Sequence, residues 1–447
     1  MRIDQFGLAL STESDVAVRS FESAVYGVAA HQPHAGKALG ESLSADPDCP
    51  GVLVLKGFAN LVLAREELLP TAAGALGSAK RAVAMRGGGT RDERVMIEAL
   101  DQAVGGAFET AADTLDVGFH DRPTTFLPFK ISHSLRFMIG DATGMMKASR
   151  RMLETWTADD PAAGFLLGCH AFALEEHGMY EEAESTGRKA VAIQPEDAWG
   201  HHAVGHVFEM RGDTAAGIDW LERGRSDWSR CNNFSFHMSW HLALLHLERG
   251  DHETVLAVYD REVRPVQTDD FRDVANAVSL LWRLERSGVD VGDRWDDLTE
   301  VVRRRRTDTT LVFATLHTLL ALVAIGDEKG AADLLAALEA KSLGTCDQSR
   351  VAAEIGLPLA RVVMGSRGRR DGSTLDRLLR DIPKIGGSNA QRDVFVLALA
   401  EAAGSRGDDV AFSRIRGARL RLKAEDRLIE AVEHHHTIMP DGQSISH

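Results

Sequence analysis

The chain has 447 residues, with 51 Lys and Arg against 66 Asp and Glu, a formal net charge of −15, and is 44% hydrophobic and 26% charged. This is ordinary globular composition, long enough for about three domains of roughly 150 residues or for a repeat array. The acidic balance argues against a nucleic-acid binder, which needs a clustered basic face to release counterions, and it disfavours an anionic membrane surface.

In chain order, Met1-Arg2-Ile3-Asp4-Gln5 has no apolar stretch behind it, so no secretory signal is expected. No run approaches ~18 uncharged apolar residues, so no membrane helix is expected either. The four cysteines, Cys49, Cys169, Cys231 and Cys346, are scattered and form no Cys-x-x-Cys. That is a reduced, intracellular pattern, and it fits neither a zinc ribbon nor a disulfide framework. The expected compartment is the cytoplasm.

Apolar residues recur at helical spacing in Val52-Leu53-x-Leu55-x-x-Phe58-x-x-Leu61, in Val95 to Val104 and in Leu311 to Ile325. Strand alternation is nearly absent, which predicts an all-α chain. Residues 13 to 160 read as three or four degenerate helix pairs punctuated by Pro47, Pro70, Pro123, Pro128 and Pro161. Arg86-Gly87-Gly88-Gly89-Thr90 lacks the Lys-Ser/Thr of a phosphate loop and follows a helix, so it reads as a linker.

Regular punctuation follows. Gly178-Met179-Tyr180-x-x-Ala183, then Ala190 and Pro195, has the form of the second half of a tetratricopeptide unit. Glycine turns the chain between two helices, and the alanines let those helices approach closely. Gly178, Gly212, Gly250, Gly288 and Gly326 stand 34, 38, 38 and 38 residues apart, one helix pair per step. The predicted fold is therefore an all-α, tetratricopeptide-like α/α superhelix with an enclosed concave pocket. Its regions are an N-terminal part (1–160), central repeats (161–335), a C-terminal helical cap (336–433) and a polar tail (434–447). Arg303 to Arg306, among Glu300 and Asp308, reads as a solvated helix face, and His434-His435-His436 as part of the tail.

The chemistry-bearing residues concentrate in the central repeats. Nine of the 18 histidines lie between His170 and His252, and all seven tryptophans between Trp156 and Trp295. His202, His206 and Glu209 project from one helical stripe, and His237 and His241 repeat the i, i+4 device with Trp240 between them. Both stripes fall in the first helix of a repeat, the helix that lines the concave side of such stacks. His133, Asp273 and His317 occupy first-helix stretches too. Ser388-x-x-Gln391 is a capping box that starts a helix, and the adjacent Asn389, Arg392 and Asp393 would suit an anion at that helix start equally well.

Three readings of the histidines stay open. Each can be a hydrogen-bonded interior group. His202, His206 and Glu209 can hold a divalent metal, although the order is neither His-Glu-x-x-His nor the Glu-x-x-His of di-iron bundles. Or the set forms a metal-free acid/base pocket, with imidazoles moving protons near Glu209 and Asp273 and with Trp199 and Trp240 excluding water. The third is taken as the working expectation. His202, His206, Glu209, His237 and His241 are then catalytic; His133, Trp199, Trp240, Asp273, His317, Asn389, Arg392 and Asp393 are substrate-binding. The reaction is hydrolysis or elimination on a small polar metabolite, with no organic cofactor and no nucleic-acid or membrane partner; a homo-oligomer is left open. A peptide-binding adaptor is the alternative from another class.

These segments together resemble the tetratricopeptide repeat protein 38 family end to end. The resemblance runs from Leu10-Ser11-Thr12 and a first helix ending at Phe21, through Trp199-x-x-His202-x-Val204-x-His206-x-x-Glu209-Met210, to Gly386-Gly387-Ser388-Asn389-Ala390-Gln391-Arg392-Asp393-Val394-Phe395. It implies a histidine at the positions of His133, His202, His206, His237, His241 and His317, and an acid at Glu209 and Asp273. The chain departs from the pattern at Gly205, where Ala is usual, and in a shorter loop near residues 366 to 373. The resemblance implies an architecture and no particular reaction.

Overall fold

The computed structural model describes residues 1–365, 372–423 and 425–438. Among them helices succeed one another from Asp15–Ala29 to Arg427–Ile438, and the strands are two short segments, Arg2–Ile3 and Ala9–Leu10, paired antiparallel. The all-α reading holds. The helix expected to end at Phe21 runs on to Ala29, because Ala24 and Val25 continue the buried stripe begun by Ala17, Val18 and Phe21. The histidine run expected in the tail continues the last helix, which extends to Ile438; residues 439–447 and the loop at 366–371 lie outside the described residues.

Two compact units partition the chain. The first comprises Met1–Val207, Leu221–Ser235 and Thr345–Gln348; the second comprises Phe208–Trp220, Phe236–Gly344 and Ser349–His447.

In the first unit, consecutive helices pack in pairs: Asp15–Ala29 with Ala35–Ala45, Pro50–Leu61 with Leu69–Met85, and Arg91–Val104 with Phe108–Gly118. Phe126–Met138 then pairs with Ala142–Leu153, and Ala163–Glu176 with Tyr180–Ile193. The Gly87–Gly89 linker has positive φ at all three glycines, and Thr90 then caps the 91–104 helix in a box with Glu93. Asp92 and Glu93 also accept the backbone amides of Ala9 (2.7 Å) and Ser11 (2.9 Å), which fixes the N-terminal ribbon to that helix start.

In the second unit the Phe271–Arg286 helix is central, buried along its whole length from Asp273 to Leu284. Val312–Ala324, Asn389–Gly404 and Arg427–Ile438 all pack on it. Ser388 and Gln391 form the predicted capping box at the start of the 389–404 helix. Arg303, Arg304 and Arg306 pair outward with Asp327, Asp269 and Asp333, as a solvated face does.

The five glycines that set the repeat are all left-handed, with φ of 74° (Gly178), 74° (Gly212), 76° (Gly250), 75° (Gly288) and 68° (Gly326). Gly106 (φ 85°) and Gly140 (φ 69°) carry the same turn into the N-terminal pairs, where the sequence pattern is weaker. At Gly178 the amide of Met179 donates to Leu174 O (3.0 Å) and that of Gly178 to Glu175 O (2.8 Å), closing a Schellman turn. Ala183 and Ala190 behind it are fully buried, so the close helix approach expected of them is realised.

Candidate functional site: paired buried histidines

In the first unit, three helices bring polar groups into the interior: Phe126–Met138, Ala163–Glu176 and the start of Ala198–Arg211. His202 and His206 sit one turn apart on the last of these, with their Nε2 atoms 2.9 Å from each other. Both are buried, at 2% and 0% exposure. The other face of the His206 ring turns Nδ1 to Glu175 Oε2 at 3.4 Å, and Glu175 is itself fully buried. Phe172 stacks on His202 (centroids 5.7 Å, 22°) and meets His206 edge-on (5.6 Å, 81°), while Trp199 tilts against His202 at 4.9 Å. The aromatic packing holds both imidazoles in place.

The second unit repeats the arrangement. His237 and His241 approach through Nε2 at 3.2 Å. His241 Nδ1 lies 2.7 Å from Glu209 Oε2, and His237 Nδ1 lies 3.1 Å from Asn276 Oδ1 on the central helix. Trp240, fully buried, stacks on His237 (5.3 Å, 16°) and meets His241 edge-on (4.8 Å, 72°). Arg283, also buried, reaches Ala390 O (3.2 Å) and Asp393 (3.5 Å); burial drives its pKa down, opposed by the charges of Asp393 and Glu209. Glu209, expected to hold a metal with His202 and His206 or else to orient His206 or a neighbouring histidine, has its close carboxylate contact with His241.

The remaining predicted residues are placed as follows. His133 points Nε2 at Cys169 O (3.3 Å), and burial beside Lys130 pushes its pKa down to about 3, so it is neutral. His317 holds Phe313 O through Nδ1 (2.9 Å), and burial lowers its pKa to about 4. The Asp273 carboxylate accepts the Thr268 hydroxyl at 2.6 Å. Arg392 donates to Asn389 Oδ1 (2.6 Å) and to Gly387 O, and Asp393 bonds Arg419. Burial opposes ionisation of Asp393, but Arg419, Arg283 and Lys423 together outweigh it and hold its pKa low. These are interior hydrogen bonds of the 389–404 helix start, in keeping with its capping role. A surface cavity of about 450 Å³ in the second unit is lined by Tyr259, Arg264, Arg294 and the carboxylates of Asp260, Asp293, Asp296 and Asp297, and by none of the predicted site residues.

Sequence reasoning missed Glu175, Asn276, Lys130, Asp197 and His31. A signal for Glu175 was available: it precedes Glu209 by 34 residues, the repeat step, and stands 31 before His206 as Glu209 stands 32 before His241. Asp197 precedes the 198–211 helix, fully buried. Burial pushes its pKa up to about 7 against the Lys130 charge and the amides of Gly200 and Trp199. His31 is held at φ 54° and stacks on Phe234 (4.2 Å, 19°).

No protein-family model matches the chain. The structure of Naa15/Naa10 bound to HypK-THB contains a chain that aligns over 93% of this one and 65% of its own length, at 14% identity and a TM-score of 0.26. The protein thus spans a little under two thirds of that chain.

Proposed function

We propose that this helical-repeat protein binds divalent transition-metal ions at its histidine pairs, one pair in each unit, and that a bound ion serves hydrolysis of a small polar metabolite. One observation carries the reading. In each unit a His-x-x-x-His pair converges through Nε2, at 2.9 Å and 3.2 Å, while the second histidine turns Nδ1 to a buried carboxylate, Glu175 or Glu209. Two nitrogens each at ~2.0–2.1 Å from one ion lie about 2.9 Å apart at a right angle and about 3.4 Å apart at the tetrahedral angle. A carboxylate on the far ring nitrogen fixes the tautomer and raises ligand basicity. An ion there would lower the pKa of bound water and supply hydroxide at neutral pH. The reading also draws on the resemblance of the 199–210 and 386–395 segments to the tetratricopeptide repeat protein 38 family.

The same distances suit an N–H···N bond in a metal-free relay from Glu209 through His241 to His237. That is the acid/base reading, and it is the alternative outcome of the test. A peptide adaptor needs its gripping side chains on an open groove. Here His202, His206, His237 and His241 are exposed by 8% or less, which favours the other two.

The test is native mass spectrometry with elemental analysis on untagged full-length protein purified without chelator. The expected result is bound first-row ion, that of the first unit lost in His206→Gln and that of the second in His241→Gln, with the latter bound ~10–100-fold more weakly in Glu209→Gln. A bare chain that takes up neither Zn²⁺ nor Co²⁺ on titration sinks the metal reading and leaves the relay.

A further inference from the structure

Lys130 is a buried cation of the first unit that the histidine centre does not use. It is 6% exposed on the 126–138 helix, and Cys169, fully buried, faces it from the 163–176 helix. Lys130 Nζ lies 3.6 Å from Cys169 Sγ, and that thiol is its one hydrogen-bond partner among the described residues. The ammonium also lies 4.9 Å over the ring of Trp199, which is partly exposed. The Lys130 charge also acts on the buried Asp197 carboxyl, so a carboxylate offsets the cation through space while its hydrogen bond goes to the thiol. Amine and thiol are thereby held against each other as two nucleophiles within reach of one bridging atom.

We propose that oxidation by a peroxide joins Lys130 Nζ to Cys169 Sγ through one bridging oxygen atom, tying the 126–138 helix to the 163–176 helix. In the first step Sγ attacks the peroxide: an S–O bond forms, the O–O bond breaks, and water leaves behind a sulfenic acid. In the second, the Lys130 ammonium releases one proton to water, and a second peroxide accepts two electrons as the N–O bond forms between the resulting amine and the sulfenic oxygen. One N–H proton and the O–H proton leave with that peroxide's oxygens as two waters. Two peroxides enter and three waters leave; the chain gains one oxygen and loses two hydrogens. A bridging atom suits the gap between the two groups, which a direct S–N bond would have to close entirely.

The location gives the bridge a consequence. His133 is one turn along from Lys130 and its Nε2 rests on Cys169 O at 3.3 Å, while Trp199 lies between Lys130 and the ring of His202. Drawing the amine toward the thiol withdraws the cation from the Trp199 face, next to the histidine pair. None of the cross-linked atoms is a proposed metal ligand, so the bridge and the metal centre stand or fall separately.

The experiment treats the full chain with hydrogen peroxide and follows intact mass and non-reduced peptide maps. The expected product is heavier by about 14 Da, as one oxygen gained and two hydrogens lost require. It should contain a cross-linked peptide pair carrying Lys130 and Cys169, be reversed by dithiothreitol, and be absent from Cys169→Ser and Lys130→Arg. It should form equally in His206→Gln, which separates it from metal binding. Cys169 carrying one, two or three added oxygens without a cross-link overturns the proposal. So does a Cys169 peptide unchanged after surface methionines have oxidised. Should the variants fail to fold, the wild-type peptide map decides alone.

Discussion

At the scale of single residues, burial sets which groups hold a charge. His133 and His317 stay neutral because their imidazoles are desolvated, with pKa values near 3 and 4. Two carboxyls go the other way. Asp4 is 4% exposed; its Oδ1 accepts the amides of Phe6 (3.0 Å) and Leu8 (2.7 Å), yet burial, with Glu22 and Asp92 nearby, raises its pKa to about 7. Asp197 is raised to about 7 by burial as well. A carboxyl whose folded pKa lies above its unfolded one keeps its proton in the native state while the unfolded chain has lost it. Stability therefore falls as pH rises from about 4 to about 7, by up to about 1.4 kcal/mol per pH unit for each such group. Asp4→Asn retains the Oδ1 acceptor and removes one titration. Denaturant midpoints measured from pH 4 to 7 should show a shallower decline in Asp4→Asn than in wild type; an unchanged slope would mean that Asp4 ionises freely in the fold.

At the scale of elements, two kinds of glycine do different work. Gly288 turns the chain at φ 75°, and a Cβ there would meet nothing within 4 Å. Its replacement by Ala costs only the left-handed backbone, about 1–2 kcal/mol. Gly187 lies inside the Tyr180–Ile193 helix with ordinary φ, where Ala is intrinsically the better helix former by about 1 kcal/mol. A Cβ there would fall 2.5 Å from Val204 Cγ2 and 3.3 Å from Gly200 O, so the helices must part. Gly187→Ala is expected to destabilise by about 1–3 kcal/mol despite its propensity gain. Chemical denaturation of both variants checks this, and a stabilised Gly187→Ala would show that the approach of the 180–193 and 198–211 helices is slack. The turn glycines were legible in sequence because their spacing is regular and only glycine suits φ near 75°. Gly187 was not legible, since its constraint comes from a neighbouring helix.

At the scale of the molecule, a metal held by native histidines stabilises the folded state by mass action. At a free concentration one hundred times Kd the increment is about 2.7 kcal/mol. On the proposed reading a chelator should lower the unfolding temperature of wild type, and lower that of His241→Gln by less; equal behaviour of the two would argue that chelation acts elsewhere. Among the described residues no helix is long and apolar enough to cross a membrane.

Fold class and repeat were determined by the sequence because both are local. Helical periodicity, the capping boxes at Thr90 and Ser388, and the glycine steps each operate within a few residues, and short-range geometry repeated along the chain builds helix pairs. The His-x-x-x-His pairs were equally legible, since i and i+4 share a helix face whatever surrounds them. What those histidines touch was decided by tertiary structure alone. Glu175 reaches His206 from the helix pair before it, Glu209 reaches His241 from the preceding first helix, and Asn276 reaches His237 from the central helix of the second unit. Each of these contacts spans more than thirty residues of chain, so it depends on how successive helices are set against one another. That setting comes from packing of apolar faces and close glycine contacts, which no single segment encodes.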